Sequence, residues 1–354
     1  MQTHLESALL LSASAILPLA QAALAQEGSA SFQATFQGTW SSSTHPNQFP
    51  PSPHFSHLVG TTHNGAVVLW QPGALASNAV KDIAENGNAG AMFIEVDQHV
   101  TLGNASQFLD WGSIYPSPGQ NIKFFTAQAD LPKLSMVAML GPSPDWIVGV
   151  NGFDLVQNGN WIESAAIPLH LYDAGTDSGV SYMSGNSPTN PRDPIALITT
   201  ASGPFQGAST IVGSLTLQRL SSTLAFGCSN PSGSLSITGL AELGQTLQIS
   251  LADPTGQMTI PAVSGLAFSG SSASNFPCGT SLPGFGLATG TAGEVLLGSL
   301  DGLVVGPLFT GGSSTFSITL PSQPALVGQQ FYFQGLLAST RVGVTQGLTI
   351  RIGS

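Results

Sequence analysis

The sequence predicts an all-β protein, and three observations support that prediction. The 354 residues include 42 glycines and 24 prolines, which interrupt the chain at short intervals. Hydrophobic residues still make up 42% of the chain, more than a disordered protein contains. Short runs of β-branched and aromatic residues lie between these turn residues, a spacing typical of antiparallel sandwiches. We therefore expect an antiparallel β-sandwich over residues 31–220 and a second, smaller all-β domain over residues 221–354.

The strands of the first unit are predicted from alternation and from apolar runs. In residues 30–40, Phe32, Ala34 and Phe36 alternate with polar residues, which indicates a strand with one buried face. The further predicted strands are 65–70, 90–96, 133–140 and 145–150.

One helix is predicted, over residues 78–87. Val80 and Ile83 lie three residues apart, and the pair Asn86-Gly87 is a common helix end. The second unit is predicted to contain strands and no helix. Its predicted strands are 233–239, 245–253, 293–300, 314–321, 329–338 and 347–353.

The charge composition excludes one class of partner. The chain carries 18 acidic and 7 basic residues, for a formal net charge of −11. So few basic residues cannot neutralise a phosphate backbone, and we expect no nucleic acid partner. An acidic surface is compatible with cation binding, although acidity usually serves only solubility.

The N-terminal segment has the features of a signal peptide. It is apolar from Ala8 to Ala25 and ends in a small-x-small cleavage pattern before Gln26. Pro18 disfavours a permanent membrane helix, and no later segment offers the roughly 20 consecutive apolar residues that a span needs. We expect a signal peptide over residues 1–25, cleavage after Ala25, and a secreted or periplasmic protein with no transmembrane span in its mature form.

The chain has two cysteines, Cys228 and Cys278, both in the second unit. In an exported protein, two cysteines within one domain most simply form a disulfide. We therefore predict the bond Cys228–Cys278, and two free buried thiols are the alternative.

Three aspartates stand out in a chain that is only 7% charged. The segment YDAGTDSG places Asp173 and Asp177 on one glycine-rich loop, and GPSPDWIVG places Asp145 at a turn before a strand. Calcium takes 6–8 oxygen ligands from carboxylates, carbonyls and waters, which such loops can supply, whereas magnesium needs stricter geometry. The alternative is that Asp173 and Asp177 only form local bonds to the backbone that stabilise turns.

Other chemistries have weaker support from the sequence. The four histidines between residues 45 and 63 lack the helical spacing of a zinc site, and structural roles are favoured for them. No G-x-S-x-G motif occurs, and no carboxylate pair is singled out for glycoside hydrolysis. Trp40 and Trp161 lie beside flexible turns, where they could stack on a sugar or simply enter the core.

Several motifs, in order along the first unit, resemble the spondin N-terminal domain family, which includes bacterial exported members. They are TFQGTWSSSTHPNQFPPSPHFSHLVGTTHN, VKDIAENG, MLGPSPDWIVGVNGFDL, YDAGTDSG and IVGSLTLQRL, and the resemblance covers residues 32–218. It implies a sandwich similar to calcium-dependent membrane-targeting domains, with a Ca²⁺ site in the loops at one end. Carried over by motif, the implied ligands are Asp145, Asp173 and Asp177.

Together these observations predict a secreted, non-enzymatic calcium-binding adhesion or interaction protein. The expected partner is an unidentified extracellular protein or glycan. Two alternatives remain open: an exported carbohydrate-active hydrolase with structural calcium, and a purely structural component of an envelope or matrix.

Overall fold

The computed structural model describes residues 28–199 and 203–354, so the predicted signal peptide (1–25) and its cleavage site lie outside the described residues. The strands, in chain order, are β1 (Gly28–Gly38), β2 (His54–Phe55), β3 (Val59–His63), β4 (Leu109–Asp110), β5 (Gly119–Gln128), β6 (Lys133–Gly141), β7 (Trp146–Asp154), β8 (Val156–Gln157), β9 (Asn160–Trp161), β10 (Ser164–His170), β11 (Tyr172–Asp173), β12 (Ala196–Leu197), β13 (Ile211–Phe226), β14 (Leu235–Thr238), β15 (Thr246–Ala252), β16 (Ala262–Ser269), β17 (Thr280–Leu282), β18 (Gly293–Val295), β19 (Gly302–Phe309), β20 (Ser313–Thr319), β21 (Gln330–Ala338) and β22 (Val342–Arg351). The α-helices are α1 (Asn78–Asn86) and α2 (Gly90–Thr101), and short 3₁₀ helices cover Gly203–Phe205 and Pro324–Leu326.

Antiparallel sheets account for most of these strands. The long sheet has the order β19-β16-β21-β22-β13-β1-β5, and β10 also pairs with β13. The second sheet has the order β12-β11-β7-β6-β3-β4, with β2 beside β6, and the third sheet has the order β14-β15-β20. Short pairs join β17 to β18 and β8 to β9. The prediction of an all-β protein built from antiparallel sheets is therefore confirmed.

The first sandwich consists of the β5, β1, β13 and β10 part of the long sheet packed on the second sheet. Phe32 and Phe36 of β1 point into the shared core, as the alternation in the sequence predicted. There they join Leu215 of β13 and side chains of the second sheet such as Met136 and Val148. Burying each large apolar side chain contributes about 1.5–3 kcal/mol, so this interior supplies much of the stability of the unit.

Strand β6 is buried on both faces, which explains why its sequence is a continuous apolar run over residues 136–140. Leu134 and Met136 face the sandwich core, while Val137 and Met139 face a separate cluster formed by the helices. Helix α1 contributes Ile83 to that cluster. A strand covered on both sides has no solvent face on which polar residues would be favoured.

The helix predicted over residues 78–87 is confirmed as α1. Ser77 caps it, because its hydroxyl accepts a hydrogen bond from the Val80 amide at 3.2 Å. Gly87 ends it in the left-handed conformation at φ 64°. Of the helices in the described part of the chain, none combines the length and apolarity needed to cross a membrane.

Two of the predicted strands are wrong. Residues 90–96 belong to helix α2, in which Met92 and Val96, four residues apart, are the buried side chains. A short apolar run fits a strand or a helix equally well, and the packing of α2 against α1 and β3 decides in favour of the helix. Residues 65–70 form turns and irregular backbone, with Val67 and Trp70 buried among the helices.

Strand β13 connects the two halves of the chain. Its first part pairs with β10 and its last part with β22, while β1 runs along most of the other side. The predicted boundary after residue 220 therefore falls within a continuous strand. An ion-pair cluster lies beside it, in which Arg219 and Arg351 both contact the carboxylate of Glu163. The division into two domains stays a prediction.

The second sandwich packs the β19, β16, β21 and β22 part of the long sheet on the third sheet. Its core contains Leu247 and Ile249 of β15, Phe316 of β20 and Leu348 of β22. The sequence-based strands of this half correspond to β14, β15, β20, β21 and β22, and only the first three residues of the predicted strand 293–300 form β18. Strands β16, β17 and β19 were not predicted.

The predicted disulfide is confirmed, because Cys228 and Cys278 are bonded, with their Cα atoms 5.1 Å apart. The buried carboxylate of Glu294 lies beside the disulfide and accepts hydrogen bonds from the backbone at or next to both cysteines. Its Oε2 accepts hydrogen bonds from the amides of Cys228 and Ser229, and its Oε1 accepts one from Gly279.

Removing this disulfide by the double substitution Cys228→Ala and Cys278→Ala is expected to lower the free energy of unfolding by about 4 kcal/mol. The estimate follows from the entropy of closing a loop of 50 residues in the unfolded chain. Urea denaturation of both proteins measures it. Two alkylatable thiols found by mass spectrometry in the unreduced wild type would contradict the assignment.

Candidate metal centre

The three predicted aspartates lie near one another at one end of the second sheet. Strands β7 and β11 pair so that Asp173 lies opposite Trp146, the residue that follows Asp145. The amide of Ala174 also donates to the carbonyl of Asp145 at 3.1 Å. Residues 28 positions apart in sequence thus become neighbours, because the ends of two adjacent antiparallel strands coincide.

The carboxylate of Asp145 is the most buried element of this site, with an exposed fraction of 0%. Its Oδ2 accepts hydrogen bonds from the amides of Thr176 at 2.6 Å and Asp177 at 3.0 Å, and from the Thr176 hydroxyl at 3.2 Å. Its Oδ1 is buried and has no hydrogen-bond partner. A buried carboxylate oxygen without a partner is costly, so this atom requires an explanation.

Asp173 and Asp177 do form the local turns that the alternative interpretation predicted. Oδ1 of Asp173 accepts from the Gly175 amide, and Oδ1 of Asp177 accepts from the Gly179 amide, each at 2.8 Å. Oδ2 of Asp177 also accepts from the Ser187 amide at 2.7 Å. These bonds leave further acceptor capacity, because an ionised carboxylate has about four lone-pair sites. Turn formation and metal binding are therefore compatible at both residues.

A fourth aspartate, Asp193, belongs to this neighbourhood and was missed by the sequence analysis. Its amide donates to the carbonyl of Gly175 at 2.9 Å. Gly175 has φ +71°, and a Cβ there would lie 2.1 Å from the Asp193 carbonyl oxygen. The segment NPRDP around Asp193 places Arg192 and Asp193 between turn residues, a signal too common to single out the aspartate.

The pKa values at this site reflect burial and the closeness of like charges. Burial raises the pKa of Asp145 from 3.8 to about 6, and the carboxylate of Asp173 adds to the rise, while the bonds from Thr176 and Asp177 oppose it. Burial also raises the pKa of Asp173, and the carboxylates of Asp193 and Asp177 contribute to that increase. The protein thus concentrates negative charge where solvation is poor.

The chemistry of these residues fits a hard cation, and their positions fit one in part. Several carboxylates and an unpartnered buried oxygen are the donors that Ca²⁺ prefers. Within residues 28–199 and 203–354, however, the carboxylate oxygens of Asp145, Asp173 and Asp177 do not all lie within 4.8 Å of one another. The one group that meets this distance there combines Glu294 with the two disulfide-bonded sulfurs, which are not available as ligands.

An open pocket of about 570 Å³ adjoins the site and connects it with solvent. Asp173 and Gly179 lie on one side of it, and Trp146 and Phe205 form an aromatic wall with ring centroids 4.8 Å apart. The side chain of Val180, beside Gly179, is exposed at the rim. An ion or a partner group could therefore approach Asp173 directly.

Two of the four candidate histidines, His45 and His63, are buried and hydrogen-bonded. His63 bonds to the Asn64 carbonyl and to the Ser135 hydroxyl, and the Nε2 of His45 bonds to a backbone carbonyl. Trp40 and Trp161 are buried, which excludes them as sugar-stacking platforms and confirms that they belong to the core.

The fold and the carboxylates between its end loops define a class of all-β sandwich domains with an acidic loop site. Comparison with known proteins identifies the family: the Spondin_N profile matches residues 30–210, and the chain belongs to the spondin N-terminal domain family. Spondin-1 of Gallus gallus is 36% identical over 184 residues, covering 50% of this chain and 23% of that protein. Spondin-2 of Homo sapiens is 35% identical over 182 residues, covering 49% of this chain and 54% of that protein. The alignments thus span about half or less of these relatives.

Replacing Gly175 by alanine is expected to destabilise the protein by roughly 1–3 kcal/mol, because the new Cβ would clash with the Asp193 carbonyl in a left-handed conformation. Gly152→Ala is the matched control, since Gly152 also has positive φ (+59°) but no atom within 4 Å of the added carbon. Urea denaturation compares the two. Equal losses of stability would show that conformation alone, and not the close approach to Asp193, matters at Gly175.

The raised pKa of Asp145 predicts a pH dependence of stability in EDTA. Between pH about 4 and about 6, the folded protein keeps a proton that the unfolded chain has released, so stability falls as the pH rises. The full effect is about 3 kcal/mol for a rise of two pH units in this pKa. Urea denaturation across this range should show a smaller fall in Asp145→Asn than in the wild type. Parallel curves for the two proteins would contradict the prediction.

Proposed function

We propose that this protein is a secreted, non-enzymatic adhesion or interaction protein whose binding depends on Ca²⁺ held by Asp145, Asp173 and Asp177. The observation that carries this proposal is the buried Oδ1 of Asp145, which lacks a hydrogen-bond partner next to a second carboxylate. A cation would supply the missing partner and offset the repulsion between the aspartates. Without one, the same arrangement costs stability at neutral pH.

Each aspartate has its own part in this proposal. Asp145 supplies the buried oxygen, and its other oxygen ties it to the loop that carries Asp177. Asp173 supplies a carboxylate at the wall of the open pocket. Asp177 is anchored at both oxygens by amides, so it joins the site through its remaining lone pairs. Within the described residues, the carboxylate oxygens of the three aspartates do not all lie within 4.8 Å of one another. For all three to bind one ion, these oxygens would have to move closer together.

Calcium is favoured over other cations by the donors available. The candidate ligands are oxygens, and calcium accepts a high and variable number of oxygens from carboxylates, carbonyls and waters. When bound, the ion supplies a positive charge that attracts a carboxylate or a hydroxyl of a partner. The open pocket beside Asp173 is the side from which such a group would approach.

The extracellular location and the kind of partner are part of the proposal. A structural disulfide is typical of oxidising compartments, and the bond Cys228–Cys278 fits export. Membership of the spondin N-terminal domain family supports an interaction role outside the cell. We therefore infer an extracellular protein or glycan as the partner.

Calorimetric titration of the EDTA-stripped full chain with Ca²⁺ tests the proposal. We expect saturable binding, and Asp145→Asn and Asp177→Asn should each weaken it by at least about tenfold, the smallest loss usual for a metal site that loses one supporting group. Calcium at 100 times the dissociation constant should stabilise the wild type by about 2.7 kcal/mol.

Asp253→Asn is the matched control for this titration. The carboxylate of Asp253 also stabilises a turn, because it accepts hydrogen bonds from the backbone amides of Thr255 and Met258. It lies in the second sandwich, far along the chain from the three aspartates. It should leave calcium binding unchanged. Absence of binding to the wild type, or an equal loss in Asp253→Asn, would refute the proposed site.

A further inference from the structure

One side of the second sandwich is open. Strand β19 is the last strand of the long sheet and β20 the last strand of the third sheet, as far as the described residues extend. The chain passes from one to the other through Gly311 and Gly312, so both edges lie on the same side of the sandwich. Each edge strand presents backbone groups that a further strand could pair with.

Strand β19 is apolar on both faces, yet it is exposed. Val305 is 67% exposed and Leu303 48% exposed, and Val304, with the opposite orientation, is 43% exposed. Leu308, further along the same strand, is also exposed. Apolar residues on both faces are typical of strands that are covered on both sides, and single exposed strands normally avoid them.

A groove of about 760 Å³ lies between the two edge strands on the inner side of β19. Val304 and Gly306 line it from β19, and Phe316 and Ile318 line it from β20. A Cβ on Gly306 would lie 2.5 Å from the ring of Phe316, so the absence of a side chain at Gly306 leaves room for that ring. None of the described residues that line the groove is charged, although the chain carries a net charge of −11.

The outer side of the same sheet region also has an apolar depression, of about 320 Å³. It is lined by Leu300 beside the start of β19 and by Ala267 and Leu336 of the neighbouring strands. Because alternate side chains of a strand point to opposite faces, a strand added to β19 would extend both the inner face that carries the groove and the outer face of this sheet.

The opposite edge of the long sheet is built differently. Strand β5, the last strand there within the part of the chain that the structure describes, carries exposed Lys123 between Ile122 and Phe124. A lysine on an edge strand is a common means of preventing a sheet from pairing with another chain. From Gly302 to Phe309, strand β19 has no charged residue.

We propose that β19 is a self-association edge, at which the open side of the second sandwich pairs with the same side of a second copy of this chain. The pairing segment is Gly302–Gly306, because Pro307 has no amide proton and its carbonyl already accepts from Ser264. The two copies form an antiparallel pair of β19 strands about a two-fold axis. The proposal is independent of the metal centre.

A second copy fits this surface because β19 itself has the properties that an added strand needs. It is extended, uncharged and apolar on both faces. In an antiparallel pair centred on Val304, Asp301 of one copy lies opposite Pro307 of the other, so the two acidic side chains do not meet. No charged residue of the described chain lines the groove, so pairing with a second copy brings no charge into it.

Sedimentation velocity of the full chain in EDTA tests the proposal, and EDTA removes any contact bridged by a metal. We expect the mass to rise with concentration from that of the monomer toward twice that value. Val305→Lys should raise the dimer dissociation constant roughly tenfold or more, because it places a charge at the centre of the pair. Ile122→Lys is the matched control, since Ile122 is an exposed apolar residue on the other edge of the same sheet, and it should change nothing.

Hydrogen exchange of the wild type provides a second readout that needs no variant. The amides of residues 302–306 should become protected as the concentration rises, while those of β5 should not. A chain that stays monomeric over the whole range overturns the proposal, whether or not a soluble strand-forming peptide binds the groove. A dimer that Val305→Lys leaves intact, with no protection at 302–306, overturns it equally.

Discussion

The hydrogen bonding of β13 is the constraint on which the rest of this structure depends. This strand spans Ile211–Phe226, pairs with β1 along one side, and is shared on the other side between β10 and β22. Its first part closes the spondin sandwich, and its last part begins the sheet of the second sandwich. Because one strand serves both cores, a change in its register would move apolar side chains from inside to outside in both halves.

The strand pairing of the second sheet positions the acidic site. Strand β6 is held between the long sheet and the helices, β7 pairs with β6, and β11 pairs with β7. The turn that carries Asp145 and the end of β11 that carries Asp173 are therefore positioned by the pairing of these strands. Such a scaffold can hold like charges together at a cost in stability, and it is the reason that an unpartnered carboxylate oxygen persists in the interior.

The two ends of the molecule use charge in opposite ways. The acidic end of the spondin sandwich brings carboxylates together where burial raises the pKa values of Asp145 and Asp173, the feature on which the proposed cation site rests. The open side of the second sandwich presents an apolar strand and groove without charge, which favours a partner that brings apolar surface. In a chain with so few charged residues, both their presence and their absence are informative about binding.

The sequence by itself determined the all-β class, helix α1 and the disulfide, and it singled out the three aspartates as candidate metal ligands. Alternation, capping, cysteine number and short motifs can all be read from the sequence without knowing which distant segments come together. Only the tertiary structure decided that residues 90–96 are helical, that β13 continues past residue 220, and that Asp193 joins the other aspartates. It alone also decided that Oδ1 of Asp145 is buried without a partner and that β19 lies at an edge. These features depend on contacts between segments that are far apart in the chain. Burial and strand pairing follow from those contacts and not from the local sequence.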